Sequence, residues 1–318
     1  MEGKFFMKYL QAVIILFFTA MITIGCSSSD QEKPADDHLT VYTSIYPIQY
    51  AVERIGGETI TAKTVYPPGV DAHTYEPTSK EMTNIAKSDV FIYLGAGMEG
   101  FAESAADALA NQDTKLVALG EHTSLFHTEH THDADHEHEG HHHGDRDPHI
   151  WLDPIRMVDM AAIIKDELIA LDPGQEDVYE NNFKALEKDL IALNDQYKDV
   201  LQDKKQKKIL VSHAAFGYWE ERYGIEQIAI NGLSSSNEPS QKQLTEIVSQ
   251  AKKYHLKYII FEQNVSNRVS EIIQDHIGAQ PLTIHNLSVL TDEDIENDAD
   301  YISLMKYNLD ILDKATNK

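Results

Sequence analysis

Hydrophobic and polar positions change period several times along this 318-residue chain. After a polar stretch at 26–38, short apolar runs alternate with stretches of helical period. The order is "LTVYTS" from Leu39, a helical pattern beginning near Pro47 and stopping at Gly56 and Gly57, then "TITAKTVYPP". A helical pattern over 78–87, "DVFIYLG", a helical pattern over 99–110 and "KLVALG" complete the first series. Strands alternating with amphipathic helices predict a mostly parallel sheet with helices on its faces.

Over 173–206 the pattern becomes that of one long helix. Tyr179, Phe183, Leu186, Leu190, Leu193, Tyr197 and Val200 recur at steps of four and three, which lines one apolar face. A second alternating series follows: "KKILVSH", a helix near Tyr218, "EQIAIN", a helix over 239–254, "KYIIFEQ", a helix over 267–277, "QPLTIH" and a last helix over 295–312. The pattern therefore predicts an α/β fold of two lobes, 39–172 and 207–318, joined by the helix at 173–206. In open sheets of this kind a ligand sits beyond the carboxyl ends of the strands, so a cleft between the lobes is the expected site.

Composition narrows the class of partner. With 52 Asp and Glu against 27 Lys and Arg, the surface repels phosphate backbones, which argues against nucleic acid and for a cation. The first residues read as an address. Lys4 and Lys8 precede an apolar run at 9–24 that Gln11, Thr19 and Thr23 interrupt, and it ends in "TIGCSSSD" around Cys26, the chain's one cysteine. An exported, unpaired thiol is a reactive liability unless it is used. The stretch resembles a bacterial lipoprotein signal, with 1–25 removed, Cys26 lipidated as the first mature residue and 26–38 as a tether. Thr23 departs from that pattern, which usually has Leu there.

Two motifs invite functional readings. "LGAGMEGF" places Gly95, Gly97 and Gly100 in GxGxxG register with Glu121 further on, but it follows the third strand of its lobe, and a structural turn is the expected role. The second is histidine. Nine His fall between His122 and His143, among acidic residues, Gly, Ser and Thr, a composition that packs no core. Three others sit in specified settings: His73 in the rigid loop "PPGVDAHTYEP", His149 between two Asp-Pro pairs in "DPHIWLDP", and His213 at a strand end in "ILVSHAAFGY". Neutral imidazole is the commonest protein ligand for zinc and related ions.

"GVDAHTYEPT", "DPHIWLDP", "SHAAFGYWEERYG" and "GLSSSNEPS", in this order, resemble the zinc-binding solute-receptor lipoproteins of bacterial ABC importers. The resemblance implies two pseudo-symmetric lobes bridged by a rigid helix, Zn2+ held between them by His73, His149 and His213, and delivery to a membrane permease driven by a cytoplasmic ATPase. It implies a monomer on a lipid anchor at Cys26, and a His-rich loop, here 121–145, that gathers or senses metal outside the main site. Manganese relatives carry a carboxylate where this chain has His213, and imidazole favours zinc. The fourth ligand is a departure: relatives have "NPLEGLT" where this chain has "HNLSVLT", which puts Ser288 in place of the carboxylate and leaves water, or less favourably His285, to close the sphere. A zinc hydrolase is the competing reading from another class. The chain lacks an HExxH helix, and Glu76 and Glu262, the nearest candidates for a base, read rather as hydrogen-bond partners of the ligands or as surface carboxylates. An adhesin would not explain the spaced histidines.

Overall fold

The computed structural model describes residues 38–126, 146–264 and 268–317. Cys26 and the apolar run before it lie outside the described residues, as does the His-rich stretch apart from His122. Two four-stranded sheets organise the chain. The first has the order β2-β1-β3-β4, from β1 (Leu39–Thr43), β2 (Ile60–Thr64), β3 (Val90–Tyr93) and β4 (Lys115–Ala118). The second has the order β6-β5-β7-β8, from β5 (Lys208–Val211), β6 (Glu226–Ala229), β7 (Tyr258–Glu262) and β8 (Gln280–Ile284). Every pairing is parallel, and adding four to each strand number of the first sheet gives the second. The two lobes therefore repeat one topology.

Helices α1 (Tyr46–Gly56), α2 (Ser79–Ile85) and α3 (Ala102–Leu109) serve the first sheet, followed by α4 (Pro154–Leu171) and α5 (Glu176–Leu201). The second sheet carries α6 (Gly217–Tyr223), α7 (Gln241–Lys253), α8 (Arg268–Ile277), α9 (Asp292–Glu296) and α10 (Tyr301–Thr316). The α5 helix, about 39 Å long at 1.5 Å per residue, leads from one series to the other and packs on α4, α1 and α10. Five of its seven predicted apolar positions, Tyr179, Leu186, Leu190, Leu193 and Tyr197, are fully buried, and Phe183 and Val200 pack against the same core.

The second sheet is covered on both faces, as alternation along β5 makes plain. Ile209 and Val211 join the large core shared with α5 and α10, whereas Leu210, between them, points into a smaller cluster with Ile247, Ala251 and Ile273 under α7 and α8. Among the described residues no helix is long and apolar enough to cross a membrane.

Two elements differ from the pattern-based reading. The α4 helix was not anticipated. Pro154 at its first turn and Asp153, whose carboxylate accepts from Ile155 N, start it directly after the "HIWLD" segment. The single last helix expected over 295–312 is two helices. The chain turns at Asp298, with φ of 50°, and Asp300 caps the new helix through a reciprocal bond with Ser303.

The Gly95–Gly97 turn is structural. Both glycines have positive φ, and the buried Glu99 carboxylate accepts from the backbone N–H groups of Leu94 and Gly95, the place where a phosphate would otherwise lie.

The junction before α4 is gripped by α6. Tyr218 donates from its hydroxyl to Asp147 O, Trp219 Nε1 donates to Leu152 O, and Arg222 pairs through Nε and Nη2 with Asp153. Asp153 is buried and serves both as the cap of α4 and as the partner of Arg222. Asp153→Ala is therefore expected to lower unfolding free energy by about 3 kcal/mol or more, since it strands a charge and removes a cap. Urea unfolding followed by tryptophan fluorescence reads this directly, and a loss under about 1 kcal/mol would contradict the assignment.

Candidate metal centre

The carboxyl ends of the strands set the site. His73 follows β2 in the loop "VDAH", His149 follows the long excursion after β4, and His213 lies two residues beyond β5. The fold brings all three together: one donor atom from each ring lies within 4.8 Å of the others, and ring centroids are 4.9 to 5.3 Å apart. His149 and His213 are buried and His73 is half-buried.

A carboxylate holds the ring of two of the histidines and the backbone of the third. Asp71 Oδ1 accepts from the backbone N–H of His73 at 2.9 Å. Asp147 Oδ1 accepts from both the backbone and Nδ1 of His149, at 3.0 and 2.8 Å. Glu262, the last residue of β7, accepts from His213 Nδ1 through Oε1 at 2.7 Å. When Nδ1 of a neutral imidazole donates in this way, as in His149, Nε2 carries the lone pair that a cation needs; His213 reaches that state once it loses its second proton. Gly217 makes room for Asp147: a Cβ there would lie 2.7 Å from its Oδ2.

The electrostatics follow from these partners. Burial pushes His73 down to about 4, helped by the neighbouring rings of His149 and His213. Burial pushes His213 the same way, but the Glu262 carboxylate outweighs it and holds His213 up at about 9. Burial also opposes the charge of Glu262, and the His213 ring and the Asn286 amide overcome that to hold the carboxyl below its usual range. Of these three groups, His213 is where a proton resides at neutral pH, and its Nε2 hydrogen bonds to Leu233 O at 2.8 Å.

One distance tests whether a metal fits. His73 Nε2 and His149 Nε2 are 3.3 Å apart. Two nitrogens at Zn–N lengths of about 2.0–2.1 Å on a tetrahedral ion are separated by about 3.3–3.4 Å. The pair already stands at the edge length of that tetrahedron.

The remaining predicted residues lie elsewhere. His285 is buried outside the cluster: Nε2 donates to Asp294 Oδ2 at 2.9 Å and Nδ1 accepts from Leu287 N at 2.9 Å, so neither nitrogen is free. Burial holds its pKa below the ordinary value despite Asp294. Ser288 is buried, and its hydroxyl donates to Asn286 Oδ1 at 2.8 Å. Glu76 is exposed, while Glu262 is occupied by His213 and by Asn286 Nδ2. Asp71, Asp147 and Asn286 were not singled out from sequence, although "DPH" and "VDAH" both place an aspartate two residues before a candidate ligand.

Comparison with known proteins bears on the family and the fold. The family model described as zinc-uptake complex component A, periplasmic, matches residues 41–315. The chain is 33% identical over 309 residues to the zinc-binding lipoprotein AdcA of Streptococcus pneumoniae, covering 96% of this chain but 61% of that longer protein. It is 30% identical over 309 residues to the high-affinity zinc uptake system protein ZnuA of Bacillus subtilis, covering 96% of this chain and 97% of that one. Among solved structures, the Zn(II)-bound ZnuA-like domain of S. pneumoniae AdcA superposes with a TM-score of 0.71 at 30% identity, over 88% of this chain and all of that domain. The laminin-binding adhesin of Streptococcus agalactiae does so with a TM-score of 0.74 at 25% identity, over 88% of this chain and all of that one. A sequence match spanning nearly the whole described chain, with the two parallel-sheet lobes beneath it, places this chain in the zinc-uptake component A family.

Proposed function

We propose that this chain is an extracytoplasmic zinc receptor in which His73, His149 and His213 hold Zn2+ and water completes a tetrahedral sphere. The single observation that carries the reading is the convergence of three imidazoles, two of them held by carboxylates at Nδ1, with two Nε2 atoms at a tetrahedral edge length. The relatives' zinc-binding and zinc-uptake functions support it. Imidazole at His213 favours zinc over manganese, since nitrogen ligands suit the softer ion. Water is favoured as fourth ligand because Ser288 is a neutral hydroxyl already engaged and His285 lies outside the cluster of three, with its Nε2 on Asp294.

The receptor hands its ion to an ABC permease and performs no hydrolysis. Glu262 is committed to two hydrogen bonds and Glu76 is exposed, so neither is poised as a base beside the ion. The mature protein acts as a monomer held outside the cytoplasmic membrane through acyl chains on Cys26, and the His-rich loop at 121–145 adds only weak sites.

A panel of variants tests the ligand set by zinc titration against a chromophoric competitor. His149→Ala should weaken binding at least a hundredfold. Ser288→Ala, His285→Ala and deletion of residues 122–143 should each leave one tight zinc per chain. Tight binding that survived His149→Ala but not the loop deletion would invert the assignment.

The pH dependence has a definite sign. His213 binds a proton at neutral pH, held up to about 9 by Glu262, and zinc must expel it. Apparent affinity should therefore rise by about tenfold per pH unit from pH 7 towards 9 and level off above. Glu262→Gln removes the charge that holds the proton, so its profile should flatten over the same window. Equal slopes in the two proteins would show that the His213 proton is not displaced.

Membrane attachment is checked with Cys26→Ala, which should leave an unprocessed precursor or release the protein. Normal processing with unchanged retention would rule out the lipid anchor.

A further inference from the structure

Far from the histidines, at the amino ends of β5, β7 and β8, the second lobe carries two adjoining hollows of about 260 and 550 Å³ that share His255, Leu256, Lys257 and Tyr258. Their chemistry is out of character for this protein. Asp and Glu make up 52 of its 318 residues, yet neither hollow is lined by a single one. The cavity between α1 and the 289–300 segment, by contrast, is lined by Glu53, Asp298 and Asp300.

Lysine collects here instead. The runs "KKQKK" at 204–208 and "KKYHLK" at 252–257, with Lys314 from α10, bring eight lysines to the amino ends of these strands. Two are neutralised: Lys204 pairs with Asp313, and Lys208 with Glu226. Lys207 is turned inward onto the carbonyls of Leu201 and Tyr223. Lys205, Lys252, Lys253, Lys257 and Lys314 are exposed, and none has a carboxylate partner among the described residues. Lys253 and Lys314 lie over the rings of Tyr254 and Tyr258, 5.1 and 5.8 Å from their centroids, so aromatic floors hold two of the free charges beside the hollows.

The turn that shapes the shared wall is itself unusual. His255 has φ of 54° just past the end of α7, where the left-handed conformation ordinarily selects glycine, and Gly278 has φ of 69° on the opposite wall.

We infer that this double hollow binds a phosphate-bearing anion, with Lys252 and Lys257 as its principal charges and His255 between them. Lysine without arginine is a set of point charges on flexible stems. Such charges meet phosphate oxygens without the fixed geometry that a guanidinium fork demands. The hollow is remote from the three histidines, so this site stands or falls independently of the zinc reading.

The same chemistry can come from a soluble phosphate or from a phospholipid headgroup, and two water-soluble probes separate them. Inorganic phosphate and glycerophosphoglycerol, the headgroup of an anionic phospholipid, are each titrated calorimetrically into the full chain and into Lys252→Glu/Lys257→Glu. Zinc affinity in both proteins serves as the check on folding. The expected result is saturable, salt-sensitive binding of one anion per chain, weakened at least tenfold in the double variant while zinc binding is unchanged. Tighter binding of inorganic phosphate identifies a soluble ligand, and tighter binding of glycerophosphoglycerol identifies a headgroup. Absence of saturable binding to either probe, or equal binding by the double variant, overturns the inference.

Discussion

The hydrogen bond from His213 Nδ1 to the buried carboxylate of Glu262 is the contact on which the site depends. A carboxylate taken out of water is costly unless it is paired and hydrogen-bonded, and here both oxygens are used: one faces His213, the other accepts from Asn286 Nδ2. That arrangement fixes the ring and sets a positive charge against a carboxylate; in the proposed function a cation replaces the proton. The site is thus built to exchange one positive charge for another.

Asn286 carries this constraint across the lobes. Its carbonyl accepts from Trp151 Nε1, whose own carbonyl accepts from the Tyr301 hydroxyl, so the segment bearing His149 is bound into the second lobe on both sides of one tryptophan. Its side-chain oxygen accepts from the backbone N–H and the hydroxyl of Ser288. Ser288 is thereby used to steady the amide behind Glu262. Direct bonds also join the loops facing each other over the site: Ser235 Oγ donates to Asp71 Oδ2 and Asn264 Nδ2 to Val70 O. With α6 gripping residues 147–153 from below, the three imidazoles are preorganised by contacts that cross between the two sheets.

Much of this was legible in the sequence because it rests on short-range pattern. Strand and helix periods gave the eight strands, and the apolar stripe of α5 marked the long helix. His73, His149 and His213 stood out because each lies in a loop or at a strand end. The orienting groups were less legible, since a carboxylate's partner is a tertiary fact. Nothing local distinguishes Glu262 at the end of β7 from a surface acid, and nothing local says that His285 turns towards Asp294. The missed α4 helix follows directly from a motif read for its histidine, and the break at Asp298 depends on one left-handed residue inside an otherwise continuous pattern.

The central claim is that the ion sits among three imidazoles and nowhere else with comparable affinity. A crystal of the chain, His-rich stretch included, grown with one equivalent of zinc, with anomalous differences collected on both sides of the zinc edge, tests it directly. The account predicts one dominant peak about 2.0–2.1 Å from the Nε2 atoms of His73, His149 and His213, with a water-sized feature completing the tetrahedron. A dominant peak held by the histidines of residues 122–143, or a sphere closed by Ser288 or His285, would contradict it.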